Sequence, residues 1–171
     1  HTFHAFKERI SIRQCGWNSG WVKDCFGNDM LNKISHNTVT CSGVSVGTIG
    51  GALSYMKMMN DVITSNKEAV LPGRYPACER NGVDQGTHNV LVYGDVIPKL
   101  KLWDERVGHV ANLQSKISEV RNNEEVYNAN QQLVAVVHQY DRFPELQKTL
   151  FIKYVDWVNT NSLADLWNEE P

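Results

Sequence analysis

Three short segments carry the residues whose types and spacing could do chemistry. The run Cys41-Ser42-Gly43-Val44-Ser45-Val46-Gly47-Thr48 is built of small residues. Backbone there can come close to a bound molecule and offer it amide and hydroxyl groups, although a strand-to-helix turn that needs glycine has the same composition. In Asp84-Gln85-Gly86-Thr87-His88-Asn89, a carboxylate and an amide stand at the head of a helix. A carboxylate base needs only hydrogen-bond reach of the proton that it takes. As a plain N-cap, Asp84 would instead contribute about 1 kcal/mol to the helix. The third segment, Val136-Val137-His138-Gln139-Tyr140-Asp141, closes an apolar run with a histidine, which at a strand end is either a packed structural group or a ligand. Cys41 could be a thiol nucleophile only beside a base, and the sequence marks no particular histidine for that role.

These segments need elements to position them. Residues 3–12 read as a short element with apolar Phe3, Phe6 and Ile10, residues 16–28 as a loop rich in Gly, Asn and Trp, and residues 38–41 as a short buried strand. Residues 42–48 are expected to turn into a helix capped by Thr48. Its apolar stripe, Ile49, Leu53, Met56 and Ile63, is expected to pack on a small sheet. The prolines and glycines of 71–83 predict a surface loop. Residues 84–94 read as a helix capped by Asp84 and stopped by Gly94 in a left-handed conformation. Short strands are expected at 99–103, 107–113 and 133–138. Pro144 then opens a last helix with Leu146, Leu150, Tyr154 and Trp157 inward. Interspersed strands and helices make the expected class α/β, a small mixed sheet flanked by helices in one domain over residues 1–171.

Composition bounds the function. Hydrophobic residues make up 42% of the 171 and charged residues 21%, with a formal net charge of −2, so no global field recruits nucleic acid or an anionic membrane. No basic patch is interleaved with aromatics, and no apolar run reaches the roughly 18–20 residues of a membrane helix. Cys15, Cys25, Cys41 and Cys78 contain no C-x-x-C pair. One or two bridges or four thiols are open to them, and the spacing chooses none of the three full pairings. No Asn-x-Ser/Thr sequon is present. An opening at His1 without an initiator Met suggests a processed product or a fragment of something longer.

The order of the three segments resembles GT-A-fold nucleotide-diphospho-sugar glycosyltransferases, family 8-like, over roughly residues 10–150. These run through a Ser-Gly-Val turn, an Asp-Gln followed shortly by Asn, and a late His after an apolar strand. The stretch from Asn18-Ser19-Gly20-Trp21 to Cys25-Phe26-Gly27 is similar to uncharacterised proteins of the same superfamily. The resemblance implies that Asp84 orients or deprotonates an acceptor hydroxyl and that Gln85 lies next to the donor sugar. It implies that Ser42, Gly43, Val44, Asn89 and Arg142 bind substrate, with Arg74 and Arg80 as further diphosphate partners. It implies that His138 completes a Mn²⁺ or Mg²⁺ site that Asp141 binds or orients, and that the three segments converge on one cleft. A nucleotide-sugar donor, a glycan or protein acceptor and a Golgi or secretory lumen follow from the same resemblance.

One part of the family pattern is missing. An Asp-x-Asp should precede all three segments, and no two aspartates of this sequence are separated by one residue. The chain is therefore expected to be the C-terminal, acceptor-side half of a GT-A-like domain, working with an N-terminal nucleotide-binding half or in a larger assembly. A noncatalytic structural or carbohydrate-binding subunit that reuses the fold is the alternative.

Overall fold

The computed structural model describes residues 1–64, 78, 81–104, 106–113 and 125–160. Strand β1 (Phe3–Ser11) turns Phe3, Ala5 and Phe6 inward. It is the central strand of a three-stranded mixed sheet of order β2-β1-β3. β2 (Thr38–Gly47) pairs antiparallel with it, Phe3 opposite Gly47 and Lys7 opposite Thr40. β3 (Leu100–Trp103) pairs parallel to its other edge, with Phe3 opposite Leu100. A separate pair, β4 (Val110–Asn112) and β5 (Val136–His138), runs parallel with Asn112 opposite His138. Around the strands stand α1 (Gly16–Ile34), α2 (Ile49–Ile63), α3 (Val83–Tyr93) and α4 (Pro144–Thr160). The class is thus a small mixed α/β fold, as expected.

Four local expectations are corrected. Residues 16–28 are not a loop but the larger part of α1, which is broken at Gly27 and buries Asn18, Val22, Cys25 and Phe26. Glycine and asparagine weaken the helical signal there, yet the buried positions recur at helical spacing, and a Cys25–Cys78 disulfide pins the helix. Residues 42–47 do not turn. They continue β2 as its exposed outer half, and the turn comes at Thr48, which does cap α2 by accepting from the Gly51 amide at 3.2 Å. Asp84 does not cap α3. The N-cap is Gly82, at φ 87, and a Cβ there would lie 2.2 Å from the Trp21 ring. Gly94 has φ −86, and Asp95 takes the left-handed position instead at φ 59.

Of the expected stripe, Ile49, Leu53 and Met56 face water, at 82%, 62% and 63% exposure, and Ile63 is half-buried. α2 docks through Gly51, Tyr55, Met58, Met59 and Val62 instead. Gly51 sits so tightly on Thr2 that a Cβ would lie 2.4 Å from the Thr2 carbonyl oxygen, and Tyr55 stacks on Phe3 at 4.2 Å between ring centroids. The smallest residue of the helix, not its largest ones, decides which side can approach the sheet.

Two apolar clusters result. The larger joins Phe3, Ala5 and Ile12 to the inner faces of α1 and α3, with Val39 and Val62. The smaller gathers Ala111, Leu113, Val126, Val134 and Leu146, with Leu150 packed against it. The side chains of Tyr154 and Trp157 lie outside the described residues, as does most of the 71–83 segment.

Candidate functional site

A cleft of about 490 Å³ opens between α1, β1 and β2 on one side and the end of β5 on the other. Ser42, Gly43, Gln85, His138 and Arg142 all line it. Residues from three distant segments therefore meet, within the ordinary size range of a ligand site.

The β2 side of the cleft is held by side chains of α3. Strand β2 is an edge of its sheet, and an edge leaves backbone groups without a ladder partner. Gln85, Asn89 and Tyr93, one turn apart along α3, supply that ladder. The Ser42 amide donates to Gln85 Oε1 at 2.8 Å, while Gln85 Nε2 donates to the Thr40 carbonyl at 2.5 Å. Asn89 Oδ1 accepts from the Thr40 amide at 2.9 Å, and Tyr93 donates its hydroxyl to the Thr38 carbonyl. Asn89 Nδ2 donates in turn to Asn18 Oδ1 at 2.9 Å, which ties α1 to the same seam. Spacings of four thus fix the strand that floors the cleft.

On the opposite side His138 ends β5, where Gln139 at φ 64 turns the chain into a 3-10 turn, Tyr140–Arg142. Asn112 of the neighbouring β4 orients the imidazole. Asn112 Nδ2 donates to the Phe6 carbonyl at 3.5 Å, so its Oδ1 faces His138 Nδ1 at 3.1 Å. An amide oxygen there requires a proton on Nδ1, which leaves the lone pair on Nε2. That nitrogen lies over Gly43, where a Cβ would come within 2.6 Å of it; only glycine leaves the room. Burial first, and then the Arg142 guanidinium, lower the His138 pKa, against the opposing charge of Asp141. His138 therefore presents a neutral imidazole to the cleft.

Cys41 Sγ also lies 3.4 Å from His138 Nδ1. This contact does not make a nucleophile–base pair, because the Nδ1 lone pair is already protonated toward Asn112. Burial pushes the Cys41 thiol up to about 11, even though the Gly43 and Val44 amides oppose the rise. A thiol in that range holds almost no thiolate at neutral pH.

The remaining predicted residues fall around the cleft in distinct ways. Asp84 is exposed and does not line the cleft, but it accepts the hydroxyl of the lining residue Ser42 at 3.1 Å. Val44 is half-buried and contributes its amide to Cys41, while Asn89 is fully buried in the seam between α3, β2 and α1. Asp141 is exposed on the turn after His138. Arg74 and Arg80 lie outside the described residues.

His138 suits the imidazole part of a divalent-metal site, since a ligating histidine commonly donates its other ring N–H to a fixed acceptor. The carboxylate part is not met, for no group of three His, Cys, Asp or Glu side chains among the described residues could hold an ion. Sequence reading missed Asn112, Glu8 and the pair Trp17 and Trp21, all except Asn112 on the cleft itself. The Trp-Asn-Ser-Gly-Trp spacing of one helical turn was the signal available for the last two. Comparison with protein-family models, with curated proteins and with solved structures returns no match.

Proposed function

We propose that this cleft belongs to a glycosyltransferase-like domain of GT-A type, which moves a sugar from a nucleotide-sugar donor to a hydroxyl of a glycan or protein acceptor. The observation that carries the reading is the meeting of Ser42, Gly43, Gln85 and Arg142 around a neutral His138, from segments far apart in the chain. In the transfer, the acceptor oxygen bonds to the anomeric carbon, the bond from that carbon to the diphosphate breaks, and the hydroxyl proton passes to a carboxylate. Asp84, bonded to the cleft residue Ser42, has the chemistry for that base. Gln85 acts through the strand that it holds, and Arg142 offers a guanidinium to the diphosphate.

A Mn²⁺ or Mg²⁺, if held there, would supply positive charge against the leaving diphosphate. His138 and Asp141 are the groups of this chain that would face it, and the reading takes the further carboxylates from a nucleotide-binding half outside this sequence. A Golgi or secretory lumen belongs to the same reading, and the Cys25–Cys78 disulfide is the feature that suits it. The second reading, a noncatalytic structural or carbohydrate-binding subunit, draws on the missing Asp-x-Asp.

The test is release of nucleoside diphosphate from a panel of nucleotide sugars, with and without Mn²⁺. It compares this chain with a protein that also carries the residues its reading frame places before His1. The short chain is expected to be silent and the extended one metal-dependent, with His138→Ala lowering its turnover by orders of magnitude while the unfolding midpoint moves little. Turnover by the short chain alone, or an extended protein indifferent to both Mn²⁺ and His138→Ala, would overturn the proposal and leave the binding subunit.

A further inference from the structure

A second cavity, of about 510 Å³, opens where α3 ends and β3 begins, and it shares no lining residue with the cleft. Asp95 and Lys99, on the loop between those two elements, both line it. Both stand in the left-handed region, at φ 59 and 52, a conformation that costs free energy at a residue with a Cβ. Gly94 would take it freely, yet Gly94 has φ −86 and the left-handed position falls on Asp95. The Asp95 carboxylate is also set just past the C-terminus of α3, where the negative end of the helix dipole opposes it. Both residues are exposed, and a merely solvated pair would need neither conformation.

These two charges have no partner within the fold. Among the described residues, neither the Asp95 carboxylate nor the Lys99 ammonium makes a hydrogen bond or an ion pair, even with the other. Asn37 adds a third polar group to the lining. Its Nδ2 donates to the Ile34 carbonyl at 3.2 Å, which leaves Oδ1 without a donor among the described residues. Much of the remaining lining is aliphatic, from Ile97, Leu100 and Leu102.

One ligand class answers all of these features. A lone anion would use Lys99 and meet the Asp95 carboxylate, and a lone cation would meet the Lys99 ammonium. A molecule with one charge of each sign on a small apolar body satisfies both. We propose that this cavity binds a free α-amino acid with an apolar side chain. Asp95 and Asn37 Oδ1 hold its ammonium, Lys99 holds its carboxylate, and its side chain packs on Ile97, Leu100 and Leu102. Charge-assisted hydrogen bonds of this kind are the strong ones, and the volume is within the range of small-molecule sites. The site stands without the transferase reading and uses none of its residues.

The test is calorimetric or ligand-observed NMR titration of the full chain with leucine, isoleucine, methionine and phenylalanine. Each is also offered as its N-acetyl and its amide form, which lack one charge, and inorganic phosphate is the anion control. At least one free amino acid is expected to bind, with both capped forms at least about ten-fold weaker, the scale of one lost charge-assisted bond. Asp95→Asn and Lys99→Asn should each weaken the free amino acid by a similar factor. Asparagine is tolerated in the left-handed region, so the unfolding midpoint should stay put and report an intact fold. The capped ligands test the same two contacts on the unaltered chain. No amino acid bound at millimolar concentration, or phosphate as the sole ligand, would overturn the site. So would a capped form that binds as well as the free one, or wild-type affinity in either variant.

Discussion

Helices α2 and α3 pack side by side, and their burial runs opposite to their sequences. α2 has the cleaner apolar stripe, yet it buries only Gly51 and Val62 and leaves Ile49, Leu53 and Met56 in water. α3 buries every residue from Gly86 to Val92, including Thr87, His88 and Asn89. The difference lies in what surrounds each. α3 is enclosed by α1, α2 and β2, so even its polar face has a neighbour, and that neighbour is an edge strand in need of hydrogen bonds. A polar residue can be as deep as an apolar one when the surface it meets is backbone.

The largest effect should therefore come from a polar residue. Asn89→Ala removes the acceptor for the Thr40 amide and the donor to Asn18 in a fully buried seam. Each stranded group costs about 1–3 kcal/mol, so a loss of about 4 kcal/mol is expected. That is a large part of the 5–15 kcal/mol typical of a domain. Urea unfolding measures it; a loss under about 1 kcal/mol would mean that β2 does not depend on α3 for its outer ladder.

His88 should make the same helix sensitive to acid. It is fully buried against the Tyr55 hydroxyl, 2.7 Å from Nδ1, and its Nε2 has no hydrogen-bond partner among the described residues. Burial lowers its pKa from 6.5 to about 4, with the Asp84 charge opposing. The unfolded chain thus takes up this proton first as pH falls. The neutral folded form is fully favoured above about pH 6.5, and its advantage drains away between 6.5 and 4. The gap corresponds to about 3 kcal/mol. Unfolding of the wild type and of His88→Gln at pH 7, 5.5 and 4 isolates the contribution, since the variant should lose distinctly less over that window. Parallel curves would place the acid sensitivity elsewhere.

How much of this could be read beforehand depends on what each residue answers to. The class, the α2 cap at Thr48, the strand near residues 100–103 and the start of α4 at Pro144 follow from local chemistry, and they were legible. The helix at 16–34 was not. Its glycines and asparagines report local preference, while a disulfide to Cys78 and the surface of α3 hold it. The outer half of β2 was also missed, because small residues were read as a turn when their register with β1 came from pairing to Phe3 and His4. Of the residues singled out by resemblance, Ser42, Gly43, Gln85, His138 and Arg142 share the cleft, whereas Asp84, Val44, Asn89 and Asp141 do not line it, and two physical roles needed the structure. Gln85 and Asn89 hold a strand, and Asn112, with no motif around it, sets which nitrogen of His138 is free.

The smallest effect should come from the stripe that looked most important. At 62% exposure Leu53 has little apolar surface left to lose, and alanine is the better helix former. Leu53→Ala should change stability by no more than about 0.5 kcal/mol, the ordinary range for exposed substitutions. Val62→Ala in the same helix removes buried methyl groups and leaves a cavity in the larger apolar cluster, so it should cost about 2 kcal/mol. Measured together by urea unfolding, the two variants compare the dry and wet sides of α2 on one scale. If Leu53→Ala instead costs as much as Val62→Ala, the exposed stripe is covered in solution, and the contrast between α2 and α3 disappears. If both are small, α2 contributes little to the core, and the seam along α3 carries the stability of this part of the fold.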